Sequence, residues 1–313
     1  MSKKVLIPRN GEQLTENYLT KKGYTIVEYD HELDADFMEK AADVDAIVSI
    51  GHGYDKQTLE SLKQLTIVAG MGVGYDATDV ETAAELGIWV TNNPGSNAIT
   101  VAESTVTDIL LLSKNAYQAS QALEDGHWNI KRQTMGFDLN GKTVGIVGFG
   151  HIGQEVAKRL VGFGVKILFY NRSEKTSTYG EQVSLERILT ESDYVSLHVP
   201  ATPATHHMIG AKELRMMKPS ASLVNFARGS VIDEAALVEA LKSGEIRSAA
   251  LDVFEQEPLK KDSPLLGLDN AFLTPHTGSN TIEASQRMAL GAEKMVDQAL
   301  SGKRPDFAVN DPK

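Results

Sequence analysis

Short apolar runs rich in Val and Ile alternate along the chain with segments whose apolar residues recur at helical spacing. The first series of runs covers residues 5–7, 24–29, 46–50, 66–69 and 88–91; the second covers 143–147, 166–170, 193–198, 222–226, 248–253 and 271–274. Runs this short, bounded by turn residues and separated by helical patterns, predict parallel strands joined by crossover helices. Between the two series, Val101, Thr105, Ile109 and Leu112 mark a helix over 97–117, and a last helix is predicted over 281–300. Both read as crossings between domains. The expected fold class is therefore α/β, with two Rossmann- or flavodoxin-like doubly wound parallel-sheet domains and a cleft between them. Residues 1–98 with 286–313 form one expected domain and residues 99–285 the other, the second built on six strands.

The second series opens on a sharper signal. Residues 142–147 lead into Gly148-Phe149-Gly150-His151-Ile152-Gly153, and Ile152, Val156 and Leu160 then line one helix face. This is a G-x-G-x-x-G sequence in the strand-turn-helix setting of dinucleotide binding. Gly148 permits the tight turn, Gly150 lets backbone approach a pyrophosphate, and Gly153 lets helix and strand pack closely. His151 and Ile152 open the helix, whose free N–H groups favour an anion. Residues 99–285 are thus expected to bind the dinucleotide, and 1–98 with the tail to bind substrate.

An acid that holds the adenosine ribose is expected after the next strand, roughly 20 residues on. That strand ends Tyr170-Asn171-Arg172-Ser173. Asn171 stands in the acid's place and Arg172 follows it, so the site lacks the anion that repels a 2'-phosphate and gains a cation that attracts one. NADP(H) is the expected cofactor, with NAD(H) as the alternative.

Composition narrows the chemistry. The chain has no Cys, which excludes disulfides, thiolate metal sites and a cysteine nucleophile. Its 42 acidic and 31 basic residues give a net charge of -11, a repulsive mean field towards nucleic acid and anionic membranes. Purely aliphatic stretches such as 109–112 are far short of the ~18 residues that span a bilayer, and residues 1–10 carry no secretory hydrophobic segment. No nucleic-acid or membrane partner is expected, and the location is expected to be cytoplasmic. His31, His52, His127, His151, His206 and His207 lack metal-ligand spacing, so no metal is expected.

In a doubly wound sheet, chemistry collects beyond the carboxyl ends of the strands. Arg228, Glu257 and His276 follow the fourth, fifth and sixth strands of the second series, a cation, an acid and a titratable imidazole at neighbouring strand ends. Around them, residues 225–234 (NFARGSVIDE), 251–258 (LDVFEQEP) and Thr274-Pro275-His276 resemble the successive signatures of the D-isomer-specific 2-hydroxyacid dehydrogenases. Gly72-Val73-Gly74-Tyr75-Asp76 and Val101-Ala102-Glu103 extend the resemblance over nearly the whole chain.

The resemblance implies a 2-keto acid reductase, with Arg228 pairing the substrate carboxylate and polarising the keto oxygen, His276 giving that oxygen a proton, and Glu257 orienting the imidazole. It further implies cofactor contacts at His198, Pro200, Thr205, Phe226, Ala227, Asp252 and Gly278, with Asp252 on the nicotinamide carboxamide. Substrate contacts are implied at Ile50, Gly51, Met71, Gly72, Val73 and Gly74, where the 71–74 loop offers backbone N–H groups to the carboxylate. A homodimer is implied as well, and apolar residues on more than one face of the 97–117 helix agree with it.

The strand end Asn171-Arg172-Ser173 is similar to that of NADPH-dependent glyoxylate and hydroxypyruvate reductases. A larger 2-keto acid is an alternative substrate. A 3-phosphoglycerate dehydrogenase is disfavoured, because that group carries arginines where Ser49 and Gly70 stand here. Formate dehydrogenases of this fold have Gln at the position of Glu257. A dinucleotide-sensing corepressor is the alternative of another class, without the basic or disordered extensions that would favour it.

Overall fold

The computed structural model describes residues 2–51 and 53–312; His52 lies outside the described residues. The chain divides into two compact units, Met1–Asn97 with Asn280–Lys313, and Ala98–Ser279. The return to the first unit thus falls ahead of the last helix, Ile282–Leu300, where the sequence pattern placed it at 285/286.

The first unit is a five-stranded parallel sheet of β1 (Lys4–Pro8), β2 (Thr25–Tyr29), β3 (Ala46–Ser49), β4 (Ile67–Gly70) and β5 (Trp89–Thr91), in the order β2-β1-β3-β4-β5. This is the flavodoxin-like order. Leu6, Ile47, Val68 and Val90 face one core with Phe37, Tyr54 and Leu59. Val5, Ile7, Ala46, Val48, Ile67 and Ala69 face the other, with Ala292, Met295 and Val296 of the last helix. Burial on both faces is why these strands read as continuous apolar runs.

The second unit has seven parallel strands: β6 (Thr143–Val147), β7 (Lys166–Tyr170), β8 (Glu181–Gln182), β9 (Tyr194–Leu197), β10 (Ser222–Asn225), β11 (Ser248–Leu251) and β12 (Ala271–Leu273). Their order is β12-β11-β10-β9-β6-β7-β8, doubly wound about β6 and β9. The seventh strand is β8, a polar pair of residues on the sheet edge that registers Glu181 and Gln182 against Leu168 and Phe169. An edge strand of two polar residues has no apolar run to announce it.

The helix expected over 97–117 is two helices, Ala98–Lys114 and Ala116–Glu124, separated by Asn115 in the left-handed region at φ 48°. Val101, Val106, Ile109 and Leu112 are buried in one core with Val144, Ile146, Val156 and Leu160. The unit's own sheet and the helix His151–Leu160 therefore consume most of the faces that seemed to require a partner, and Ile99 stays exposed.

Asp108, on the same helix, is 4% exposed and its Oδ2 has no partner among the described residues. Burial, assisted by the charge of Asp252, pushes its carboxyl up to about 7. The folded protein thus holds this proton more tightly than the unfolded chain, and the associated stability is present below the unfolded pKa and lost as pH rises towards 7. Asp108→Asn removes the titration. Thermal or urea unfolding at pH 5 and pH 8 is expected to show the variant gaining on the parent by about 2–3 kcal/mol between the two pH values; an equal difference at both would show that Asp108 is ionised throughout.

Candidate active site

The turn after β6 fits a dinucleotide at each glycine. Gly148 sits at φ +95°, and a Cβ there would lie 2.5 Å from the His198 carbonyl oxygen. At Gly153 a Cβ would lie 2.2 Å from the Gly148 carbonyl oxygen and 3.2 Å from Ile146, so only glycine lets the helix His151–Leu160 rest on the strand. Over Gly150 the space is open, and no side chain caps the helix start there. The amides of His151 and Ile152 open that helix, which leaves a positive backbone terminus suited to a pyrophosphate.

Asn171 is tied to this turn. Its Oδ1 accepts from Phe149 N at 3.2 Å, and its Nδ2 donates to Ser173 O and Oγ at 2.9 and 3.0 Å. Arg172 and Ser173 are exposed. Just after β9, His198 Nε2 pairs with Ser196 Oγ at 2.8 Å, and burial pushes this imidazole down to about 3, so it is neutral. Thr205 Oγ1 donates to Pro200 O at 2.6 Å and holds that loop.

The three strand-end residues all lie in the second unit. After β10, Asn225 Oδ1 accepts from Ala227 N at 2.9 Å and its Nδ2 donates to Arg228 O at 3.0 Å, which fixes the main chain around Arg228. Phe226 and Ala227 are buried. Arg228 Nη1 donates to Ala227 O at 2.8 Å. At Gly229 a Cβ would lie 1.8 Å from the Phe254 carbonyl carbon, so the absence of a side chain brings the Arg228 turn onto the loop that carries Glu257.

Glu257 Oε1 accepts from Phe254 N at 3.0 Å, and Oε2 accepts from His276 Nδ1 at 2.7 Å. His276 stands at φ 52°, held by its N–H to Asp252 O at 2.8 Å. Asp252 is buried and organises this loop: Oδ1 accepts from Thr274 Oγ1 (2.6 Å) and Thr277 N (2.7 Å), and Oδ2 accepts from Gly278 N (2.8 Å). Both its oxygens already serve the protein before any nicotinamide is considered. Gly278 is itself obligatory, since a Cβ would lie 2.6 Å from the Phe226 ring.

The electrostatics of the pair follow from this geometry. The hydrogen bond to Glu257 raises the His276 pKa above the ordinary value, against the opposing pulls of burial and of Arg228. Burial draws the Glu257 carboxyl upward, but the bonds from His276 and Phe254 N, with the charges of His276 and Arg228, hold it below the usual carboxylate range. The result is an imidazole biased towards its charged form with Nε2 left for a reacting group.

In the first unit, the loop positions are more committed than the sequence suggested. Met71 N–H donates to Ser49 O at 2.9 Å and so is not offered to a carboxylate. Gly72 O accepts from Asn93 N, and Val73 O from Asn92 Nδ2 at 2.9 Å. Gly74 is partly buried beside them. Ile50 N donates to Glu32 Oε2 at 2.9 Å and Gly51 N to Ser49 Oγ at 3.2 Å, while Tyr54 OH donates to Glu32 Oε1 at 2.5 Å. Sequence reasoning missed the buried Glu32, whose role depends on packing from a distant segment.

Residues 106–278 match the family described as D-isomer specific 2-hydroxyacid dehydrogenase, NAD binding domain. The chain is 44% identical over 231 residues to a glyoxylate reductase of Korarchaeum cryptofilum, covering 72% of this chain and 69% of that protein. It is 42% identical over 217 residues to a hydroxypyruvate reductase of Thermotoga maritima, covering 68% and 71%. A solved glyoxylate reductase from Paecilomyes thermophila superposes with a TM-score of 0.85 at 31% identity, over 98% of each chain. Fold and matches together define an oxidoreductase that uses a nicotinamide dinucleotide on the CH–OH group of a small 2-hydroxy acid, or on the corresponding 2-keto acid. The chain belongs to the D-isomer specific 2-hydroxyacid dehydrogenase family.

Proposed function

We propose that this enzyme reduces glyoxylate or hydroxypyruvate, with Arg228, Glu257 and His276 as its catalytic machinery and NADPH as the preferred cofactor. The observation that carries the reading is the 2.7 Å pair of His276 Nδ1 and Glu257 Oε2, with Arg228 acting on both charges. A reduced nicotinamide dinucleotide, when bound, supplies the hydride. Arg228 pairs with the substrate carboxylate and draws electron density onto the keto oxygen, a task its planar fork suits. His276 Nε2 gives its proton to that oxygen as the alkoxide charge develops, and Glu257 stabilises the imidazolium until it does so. In the oxidative direction the neutral imidazole takes the proton back.

The exposed Arg172, beside a turn whose acid position is Asn171, supports NADPH over NADH. A phosphorylated substrate is disfavoured because Gly70 stands where an arginine would be needed, and a Cβ at this position would lie 2.9 Å from the Thr91 carbonyl oxygen, so a side chain here requires the backbone to shift. The test is initial rates over a panel of 2-keto acids with each cofactor. Turnover fastest on glyoxylate or hydroxypyruvate with NADPH is expected; cofactor binding without turnover would mark a sensor.

A homodimer is also proposed. Leu123, Trp128 and Met135 are large apolar side chains that the second unit leaves exposed, Trp128 at 74% and Met135 at 70%. Light scattering at micromolar concentration is expected to give twice the chain mass, and a monomer would contradict it.

A further inference from the structure

The loop after β7 is built around one side chain. Gln182, on the edge strand β8, donates through Nε2 to the carbonyl oxygens of Asn171 and Ser173, both at 3.1 Å. Its Oε1 accepts from Lys175 N at 2.7 Å. A primary amide is the group that can do this, since a carboxylate has no donor and an ammonium no acceptor. Asn171 meanwhile fastens the same loop to the glycine-rich turn through Phe149 N. The main chain on both sides of Arg172 is therefore pinned, at one end to the phosphate-binding turn and at the other to the sheet edge.

The Arg172 side chain projects from this pinned segment, exposed and without an ion pair to another described residue. A long side chain on a mobile loop loses both backbone and rotamer freedom when it contacts an anion. A fixed main chain removes the first of those costs. It also determines which side of the loop the guanidinium leaves from.

We infer that Gln182 is the positioning residue that sets cofactor preference: by clamping residues 171–175 it presents Arg172 to the 2'-phosphate of NADPH. The inference rests on the reading of Arg172 given above. If Gln182 merely stabilised the sheet edge, its loss would weaken both cofactors alike. If it acts through Arg172, the loss falls on the phosphorylated one.

The test is equilibrium binding of NADPH and NADH by fluorescence titration with no keto acid present, read as the ratio of the two Kd values. The parent is expected to favour NADPH by roughly 10-fold or more. Gln182→Ala and Gln182→Met, the second keeping the side-chain length without the amide, are each expected to lower that ratio about 3- to 10-fold. In an Arg172→Ala background, adding Gln182→Ala is expected to leave the ratio where Arg172→Ala put it, because the two act as one unit. A parent that does not favour NADPH overturns the reading of Arg172 and the inference with it. A parent preference that survives both Gln182 variants overturns the inference alone, as does a further fall in the double variant.

Discussion

Arg228→Ala is expected to lower kcat/KM for keto-acid reduction by about three orders of magnitude or more, with both kcat and KM affected. The guanidinium is assigned two tasks, holding the substrate carboxylate and polarising the keto oxygen, and loss of a charged hydrogen-bonding group at a reacting centre costs about 3–4 kcal/mol in transition-state stabilisation alone. Its removal should not unfold the enzyme. The local main chain is held by Asn225 and by the contact of Gly229 with the 254–255 backbone, neither of which uses the guanidinium. Arg228→Lys restores charge without the planar fork and should recover only part of the loss. Steady-state kinetics with thermal melts of each variant check this; near-parent kcat/KM in Arg228→Ala would remove it from the site.

His276→Ala is expected to act mainly on kcat, lowering it by roughly 10² to 10⁴, since its task is proton transfer and not substrate binding. Glu257→Gln separates orientation from charge. The amide keeps the side-chain shape but removes the anion that raises the His276 pKa, so the imidazolium is lost at lower pH than in the parent. The alkaline limb of the reduction profile should therefore move to lower pH, while the oxidation profile, which needs neutral His276, gains at low pH. An unmoved profile would show that Glu257 serves the loop and not the proton.

Much of the fold is legible in the sequence, for physical reasons that differ by element. The buried strands announce themselves because both sheet faces are covered, and residues 143–147 or 222–226 can afford no polar side chain on either face except where it is hydrogen-bonded. Gly148 and Gly153 are legible because their backbone conformations and close approaches require glycine. That Arg228, Glu257 and His276 meet is legible because each follows one of three neighbouring strands, a rule of topology.

What was hidden depends on distant segments meeting. Gly229 looks like a turn residue until the Phe254 carbonyl is found where its Cβ would be. Gln182 sits in a polar stretch with no periodicity, and its amide acquires meaning only when β8 closes onto β7. Asn171 stands in the sequence where an acid is expected, and its amide is also a structural strut between Phe149 and Ser173, so Asn171→Asp changes the loop as well as the charge. Apolar periodicity in the 98–114 helix marked burial without saying whether the covering surface belonged to the same chain.

The central claim is that hydride reaches C2 of a 2-keto acid while His276 protonates the oxygen on a single face of the substrate. Reduction of hydroxypyruvate with NADPH deuterated at nicotinamide C4 on the transferred side tests it most directly. The expected product is D-glycerate carrying deuterium at C2, formed at a rate that His276→Ala suppresses. L-glycerate, or D-glycerate without the label, would contradict the account.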